Sequence, residues 1–431
     1  MTDPVSWPRT AAEVAARVIP VDPRYAPGDL RRYGTNADPG KTDMTAPIAN
    51  ALRVSAAHRT VFQPETYLTG KQMIASGADI YLPPGSRLLD TGELGVNDRF
   101  LNISSEVAGG PLADIRIVGW GSKVQLVKAN YVTGEQRHGV HIAGDVSHVS
   151  IEGLESSDAG GDGFCVGGVG GGSTLTPQNI RLIGVKANNN RRNALSITAA
   201  RHMTVASCRF TNTVGTSPQR AVDVEPDSDG KGAMVGDLED ILIIGCYSEG
   251  NAGVGFSFTG GLYTAVGKEI TVTFEDCTDR GSAANFQVNT TRHDVAGVIT
   301  FRNCRGFDAR SNGFDCVSSG MRCEVDGMWI FDANRDGHAA SHHGSAYAIY
   351  SVNGPDGSTY GNVHIRNSFA RGATAVRAVA QLISGEDASV MKDVDVEIDS
   401  DSPASRRASR GLGRSQLAGV NRVEFKDGHS R

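Results

Sequence analysis

The stretch MTVASCRFTNTVGTSPQRAVDVEP, residues 203–226, decides the fold of this chain. It holds an apolar strand that ends at Cys208, a polar turn, and a second apolar strand, AVDV, over residues 221–224. The first strand follows the pattern apolar-x-apolar-x-x-Cys. The same pattern recurs, with cysteine or an aliphatic residue in its last position, at Leu154, Val185, Cys246, Cys277 and Cys304.

The second strand recurs after each of these turns. Its copies are the short segments that contain Phe164, Leu195, Val222, Phe256, Phe286, Phe314, Tyr347 and Val376. The repeat period is roughly 23 to 40 residues, and the unit is strand-turn-strand without a helix. The pattern therefore predicts an all-β, single-stranded parallel β-helix of roughly ten coils, in which equivalent residues stack about 4.8 Å apart.

The chain has seven cysteines, and no two of them form a CxxC pair. Because four of them occupy the same position of the repeat, we expect an interior ladder of small buried side chains rather than disulfides or metal ligands. Reduced, stacked thiols suit a cytosolic origin.

Composition narrows the class of protein. The chain has 431 residues, 53 glycines and a formal net charge of -6. This profile is typical of a soluble, turn-rich β protein and argues against nucleic-acid and membrane partners. The first residues, MTDPVSWPRTAAEVAARVIP, lack the features of a secretory signal, so we expect a cytoplasmic or phage-particle location by default.

Three segments resemble a known family. GDLRRYGTNADPGKTDMTAPIANAL (residues 28–52) resembles the opening of the phage-tailspike-like branch of the pectate lyase superfamily, and residues 61–88 resemble its first coils. Residues 188–226 resemble a segment common in bacterial β-helix proteins. The similarity, which extends over about residues 29 to 380, departs from the family at Gln63-Pro64-Glu65.

The resemblance implies a right-handed parallel β-helix with a short N-terminal capping helix. We expect the helix over about residues 44 to 58, with Thr42 or Asp43 as its N-cap. The expected organisation is an N-terminal arm (residues 1–33), the capping helix and first coils (34–110), the β-helix body (111–400), and an Arg/Ser-rich connection with a last strand (401–431). The resemblance also implies a homo-oligomer, with a trimer favoured.

Two acids stand out on the strand that opened this section. Because side chains alternate along a strand, Asp223 and Glu225 share the face opposite Val222 and Val224, and we expect that face to be exposed. Their Cβ atoms would lie roughly 6.6 Å apart, within reach of the acid–base spacing of about 6.5–9.5 Å in inverting glycosidases. Asp162 is the alternative partner. Solvated surface charge is the competing interpretation.

Further polar residues fall in the same coils. The expected substrate-binding set, which lies in the preceding turns or in the same outward column, is Asp158, Arg191, Arg192, Asn193, Arg220 and Asp315. The first hypothesis is a glycoside hydrolase that acts on a polysaccharide or oligosaccharide. The alternatives are a lyase or C5-epimerase acting on a uronic-acid polymer, and a non-catalytic, tailspike-like glycan-binding module.

No metal ligand set is predicted. Asp227-x-Asp229-Gly resembles a calcium loop only in part, so bound calcium is possible but not expected. His138, His141 and the histidines of HAASHHG are interpreted as structural or surface residues. The glycine-rich loop over residues 167–176 could cover the acidic face as a lid.

Overall fold

The computed structural model describes residues 6–168, 174–229, 233–261, 268–290, 296–317, 321–338, 343–350, 359–371, 378–383, 390–400 and 419–427. Half of the predicted lid, part of HAASHHG and the Arg/Ser-rich connection lie outside these ranges.

Two parallel sheets wind around one core. The first, called sheet 1, contains eleven strands within the described residues, one from each coil. They are Gln72–Met73, Leu101–Ser104, Val140–Ala143, Phe164–Gly167, Leu195–Ile197, Val222–Val224, Phe256–Gly261, Phe286–Thr290, Phe314–Val317, Ser345–Tyr350 and Ala378–Ile383.

The second sheet, called sheet 2, receives two strands from most coils, which a bend separates. The first strands of successive coils are Thr60–Val61, Asp79–Tyr81, Leu112–Val118, Val146–Glu152, Gln178–Ile183, Ala200–Ala206, Leu238–Ile244, Glu269–Glu275, Ala296–Arg302 and Arg322–Asp326. The second strands are Thr66–Thr69, Arg87–Asp90, Lys123–Gln125, Glu155–Ser157, Lys186–Asn188, Arg209–Thr211, Tyr247–Glu249, Thr278–Arg280, Arg305–Phe307 and Trp329–Phe331. Three longer strands complete the sheet: Thr359–Arg371, Val390–Ser400 and Gly419–Asp427.

Short helices lie mainly at the N-terminal end. They are the α-helices Ala11–Ala15, Thr45–Arg53 and Ser105–Ala108 and the 3-10 helices Leu30–Arg32 and Lys128–Asn130. None of these described helices has the length and apolar character needed to cross a bilayer. The N-terminal arm packs against the 3-10 helix, since the fully buried Arg32 guanidinium lies 2.6 Å from the carboxylate of Glu13.

The predicted capping helix is present but shorter than expected. It begins at Thr45, and the N-cap is Met44 rather than Thr42 or Asp43. Asp43 lies one residue earlier, where its carboxylate accepts the Thr45 N–H at 2.8 Å. The helix ends at Arg53 rather than near residue 58. The Ser55 hydroxyl donates to the carbonyl of Leu52 at 2.6 Å. Val54 leaves the helical conformation, with φ −110° and ψ 2°, and this ends the helix early; the Ser55 hydroxyl then satisfies one of the carbonyls left free in the last turn.

One apolar core runs through the coils from Val18 to Ile398. The cysteine ladder is part of it, as predicted. Cys208, Cys246, Cys277 and Cys304 are buried and unpaired. Each next coil hydrogen-bonds to the carbonyl of the cysteine before it, as where the Tyr247 N–H donates to Cys208 at 2.9 Å. The four thiols therefore stack in register, and the prediction of an interior ladder without disulfides is confirmed.

The bend between the two strands of sheet 2 repeats with one backbone conformation. A residue with positive φ occupies it in successive coils: Gly153, Gly184, Ser207, Gly245, Asp276, Asn303 and Gly327. Serine, aspartate and asparagine tolerate this left-handed region at a single position, so glycine is required only where a Cβ would collide.

Candidate functional site

Sheet 1 carries a polar column on its outward face. The strand register stacks one outward residue from each coil, in the order Asn102, His141, Cys165, Ser196, Asp223, Ser257, Gln287 and Asp315. The alternate residues, such as Val222 and Val224, face the core. The predicted second strands from Phe164 to Tyr347 are therefore confirmed as equivalent. The prediction for the last copy is wrong, because Tyr347 pairs with Ala380 and not with Val376, which lies outside the described residues.

The expected exposure of this face is wrong for Asp223, which is 1% exposed. Its Oδ1 lies 2.6 Å from the Arg220 guanidinium, which is itself only 13% exposed. Oδ1 also accepts hydrogen bonds from the hydroxyls of Ser257 at 3.2 Å and Thr259 at 3.4 Å. Periodicity assigned the face correctly, but neighbouring side chains cover it and remove Asp223 from solvent.

Asn193 connects Asp223 to the preceding coil. Its side-chain amide donates to the Ser196 hydroxyl at 3.0 Å and to Asp223 Oδ2 at 3.4 Å. Its carbonyl oxygen accepts the backbone N–H of Arg220 at 2.9 Å, and its own N–H donates to Asp162 at 2.9 Å. Asn193 therefore connects the side chains of Ser196, Asp223 and Asp162 with the backbone of Arg220. We call Asp162, Arg192, Asn193, Arg220 and Asp223 the buried charge network.

Arg192 is the second cation of this network. It lies 3.3 Å from Asp162, 3.2 Å from Glu135 and 3.9 Å from Glu225. Asp162 is 1% exposed along its side chain, and burial raises its pKa although the Arg192 charge opposes the shift. Arg192 thus lies between the buried carboxylate of Asp162 and the more exposed carboxylates of Glu135 and Glu225.

Glu225 is the partly exposed acid of the site, with 34% of its side chain accessible. Burial and the nearby charge of Asp223 raise its pKa to about 7, against the opposing charges of Arg220 and Arg192. At neutral pH, Glu225 is therefore protonated in a large fraction of molecules, as a general acid must be.

Asp227 lies beside Glu225 and was interpreted in the sequence as part of a weak calcium loop. It accepts a hydrogen bond from the Thr198 hydroxyl at 2.8 Å. Burial raises its pKa, and its charge in turn contributes to the raised pKa of Glu225. Asp229 instead accepts the N–H of Ala233 at 3.0 Å within a turn. Bound calcium, which the sequence analysis does not expect, stays untested at this segment.

Two histidines extend the site toward the N-terminal coils. His138 and His141 are 2% and 8% exposed, and burial holds the pKa of both well below the usual value. His138 Nδ1 accepts the backbone N–H of Asp162 at 3.0 Å, whereas His141 Nδ1 lies 3.0 Å from Asn102 Oδ1. Both rings are neutral hydrogen-bonding groups at neutral pH, not surface residues.

One group could in principle hold a metal ion. Ligand atoms of His138, Asp162 and Cys165 lie within 4.8 Å of one another. The His138 lone pair already accepts a backbone N–H, and the Arg192 guanidinium lies 3.3 Å from Asp162. Burial also raises the pKa of the Cys165 thiol, which opposes thiolate formation. A cation fits this group poorly.

Asp315 lies three coils beyond Asp223 in the polar column and is 4% exposed. Burial raises its pKa to about 7, although Asn312 and Gln287 donate hydrogen bonds to it. At roughly 4.8 Å per coil, it stands about 14 Å from Asp223 along the axis and belongs to a separate part of the column.

Arg191 and Asp158 do not join the polar column. Arg191 donates to the backbone carbonyls of Gly134 at 2.5 Å and Val132 at 2.8 Å. Asp158 accepts hydrogen bonds from the side-chain amides of Gln125 and Asn189. Both residues hold loops between coils, and no contact links them to the described carboxylates of the site.

The sequence analysis did not predict four residues that contribute to this site, namely Glu135, Asp227, His138 and His141. Glu135 lies in a loop outside the repeat, so periodicity could not place it. The register of the strand Val140–Ala143 could have placed His141, because it is one step from Cys165 in the same column.

Comparison with known proteins shows the fold. No family model matches the sequence, and no curated protein matches it. Solved structures do match. The tailspike protein of E. coli bacteriophage HK620, a double mutant in complex with a pentasaccharide, is 12% identical, with a TM-score of 0.56, and the match covers 93% of this chain and 80% of that one.

Two further structures represent different activities. The A-module of the mannuronan C-5 epimerase AlgE4 from Azotobacter vinelandii is 13% identical, with a TM-score of 0.54, and covers 90% of this chain and 98% of its own. The endo-xylogalacturonan hydrolase from Aspergillus tubingensis is 13% identical, with a TM-score of 0.53, and covers 91% and 98%. The fold is therefore the right-handed parallel β-helix that the resemblance implied.

Proposed function

We propose that the chain is a glycoside hydrolase that cleaves a polysaccharide or oligosaccharide, with Glu225 as its general acid. The observation that carries this proposal is the state of Glu225: partly exposed, near the buried charge network, and with its pKa raised to about 7. A protonated carboxyl next to ionised ones is the arrangement that separates acid from base in glycosidases. The fold, which glycan-cleaving and glycan-binding proteins share, supports the same substrate class.

Access to solvent water decides which carboxylate serves as the general base. Asp223 and Asp162, the partners expected from the sequence, are each 1% exposed along the side chain and accept several hydrogen bonds. A water molecule must reach the base, so we assign that role to Asp227, which is partly exposed and interacts electrostatically with Glu225. Asp223 and Asp162 then act as positioning residues, because they hold Arg220 and Arg192 in place.

The reaction would need two proton transfers. Glu225 would donate its proton to the glycosidic oxygen as the bond breaks, and Asp227 would take a proton from the attacking water. Arg192, 3.9 Å from Glu225, would stabilise the carboxylate that forms when the proton leaves.

A lyase or C5-epimerase is the second candidate, because it too acts on glycans. That chemistry needs a base for the C5 proton. Tyr350 is placed on the outward face of sheet 1, two residues after Ala348, which pairs with Asp315. Burial raises the pKa of Tyr350, which disfavours the phenolate that a base would need. The hydrolase is therefore the better supported of the two.

A panel of polysaccharides tests the proposal. Each is assayed for new reducing ends and for the absorbance of unsaturated products. We expect reducing ends alone, and a loss of at least about 10²-fold in rate for Glu225→Gln. Glu249→Gln is the matched control, because Glu249 is 41% exposed and pairs with Arg209 on sheet 2. Reducing ends with absorbance would indicate a lyase, and neither signal would indicate a C5-epimerase or a glycan-binding module.

The homo-oligomer that the resemblance implied, with a trimer favoured, stays a prediction. The mass of the protein in solution, against 45.4 kDa for one chain, tests it.

A further inference from the structure

A groove on the far side of the molecule is lined by cations. It lies at the bend of sheet 2 in the first coils and has a volume of about 310 Å³. The strand register stacks Arg87, Lys123, Glu155 and Lys186 along it, one from each successive coil. At about 4.8 Å per coil, these four residues span roughly 14 Å. We call this the basic groove.

The cations of the basic groove lack partners within the described part of the chain. Arg87, Lys123 and Lys186 form no ion pair there, and the Nε atom of Arg87 is buried without a hydrogen-bond partner. The next cation in the same column behaves differently, because Arg209 lies 2.9 Å from Glu249. Cations left unpaired along a concave surface are available to an anionic ligand.

An aromatic ring borders the same groove. Trp120 is 51% exposed, and its indole lies against the turns at Gly153 and Gly184. A Cβ at either glycine would overlap the ring, so both turns leave space for it. Because Gly121 and Gly153 line the groove, the indole stands at its edge and offers a flat apolar surface beside the three cations.

We propose that the basic groove is a second glycan-binding site, which takes an acidic polysaccharide. Trp120 would stack on a sugar ring, and Arg87, Lys123 and Lys186 would bind the carboxylates of the polymer. A large ring next to well-spaced charged groups is a common way to combine apolar contact with ionic specificity. The site lies apart from Glu225, so it stands whether or not Glu225 performs chemistry.

One observation favours an acidic glycan over a single-stranded nucleic acid. Nucleic-acid grooves stack successive bases on several aromatic rings, whereas Trp120 is the aromatic residue that contacts these turns.

The polar column makes a poorer site for such a polymer. Arg192 and Arg220 are both held by carboxylates of the buried charge network. In the basic groove, Arg87, Lys123 and Lys186 form no ion pair among the described contacts, although Glu155 lies in the same column.

The experiment measures binding of oligogalacturonates to the full chain at low ionic strength, by calorimetry and by tryptophan fluorescence. Fully methyl-esterified oligogalacturonates are the ligand control, because they keep the sugar backbone and lose its charge. All variants carry Glu225→Gln so that no cleavage interferes. The test variants are Trp120→Ala and Lys123→Gln/Lys186→Gln. Their matched controls are Trp329→Ala, at a residue 47% exposed on another part of sheet 2, and Lys41→Gln/Lys71→Gln.

We expect the acid form to bind and to change the fluorescence, and the ester to bind at least tenfold more weakly. Both test variants should lose at least tenfold in affinity, and Trp120→Ala should also lose the fluorescence change. The controls should bind as the parent does. Absence of binding, equal losses in the controls, or equally tight binding of oligo-dT would each overturn the proposal. If the chain binds oligogalacturonates as expected but cleaves no polysaccharide of the panel, only the hydrolase proposal is rejected.

Discussion

The arginines of the buried charge network and the cations of the basic groove differ in what neutralises them. Arg220 is 13% exposed and lies 2.6 Å from the carboxylate of Asp223. Lys123 and Lys186 lie on the outer wall with no ion pair among the described contacts. The first kind of charge is balanced inside the fold, whereas the second is balanced by solvent until a ligand binds.

This difference separates two kinds of function. A buried, balanced charge is expensive to remove, because its partner is left without compensation. An exposed charge without an ion-pair partner contributes little to the free energy of folding and is available to bind a ligand. We therefore expect substitutions in the network to change the free energy of unfolding, and substitutions in the groove to change affinity alone.

The largest effect should follow from Asp223→Ala. Removal of this carboxylate leaves the largely buried Arg220 without its ion-pair partner, and loss of one member of a buried ion pair typically costs about 3–5 kcal/mol. Urea-induced unfolding measures the loss. Asp223→Ala combined with Arg220→Met is the control, because it removes both charges and should recover part of the stability. If Asp223→Ala unfolds at the parent urea concentration, the network is not a structural unit and the comparison fails.

The repeat itself was predictable from the sequence. The second strands at Phe164, Leu195, Val222 and Phe256 were predicted as copies of one unit, and the register pairs each of them with the next. This worked because parallel coils force equivalent residues into one column, so that the spacing of apolar residues determines which side chains stack.

The surroundings of the column were not predictable. Asp223 was expected on an exposed surface, yet it is buried among Arg220, Asn193 and Thr259. Arg191 and Arg192 are adjacent in the sequence, but one binds loop carbonyls and the other binds carboxylates. Alternation decides the face of a strand, whereas burial depends on how loops and long side chains cover that face.

Gly184→Ala sharpens the comparison at the edge of the basic groove. The φ of Gly184 is +60°, and a Cβ there would overlap the indole of Trp120. We expect a cost of about 1–3 kcal/mol in unfolding and weaker oligogalacturonate binding, because the ring must move. Gly245→Ala is the matched control. It has a φ of +61° in the same bend, but its Cβ would meet only the Ser207 hydroxyl, at 3.9 Å. Equal losses in both variants would mean that Trp120 is not held by these turns.

The pH dependence of cleavage tests the polar column. The pKa of Glu225 is raised to about 7, so the proton that the reaction needs is present below that pH. The rate should fall about tenfold per unit as the pH rises beyond about 7. Glu225→Gln should remove this dependence from whatever rate remains. A rate that stays constant up to pH 9 would exclude Glu225 as the acid.

The free energy of unfolding should also fall as the pH rises, but this pH dependence would not identify Glu225 as the group responsible. A folded-state pKa above the unfolded value contributes stability at low pH that is lost as the pH rises through the folded value. Burial raises the pKa of Glu225 and of Asp315 to about 7. It also raises to about 6 the pKa of Asp279, which lies in the strand Thr278–Arg280 of sheet 2. Their contributions therefore overlap between pH 4 and 7, and only the rate identifies Glu225.

The smallest effect on folding should come from Lys123→Gln. Lys123 has no partner to lose within the described chain, so its free energy of unfolding should stay within about 0.5 kcal/mol of the parent. Its affinity for oligogalacturonates should fall, and that loss should shrink with salt. Raising the ionic strength from 0.01 M to 0.15 M shortens the screening length from about 30 Å to about 8 Å, which weakens exposed ion pairs first. The destabilisation by Asp223→Ala should persist in the same salt, because its partner charge is buried. If Lys123→Gln instead unfolds more easily and its affinity is unchanged, Lys123 belongs to the balanced charges of the fold and the groove has no free cation at that position.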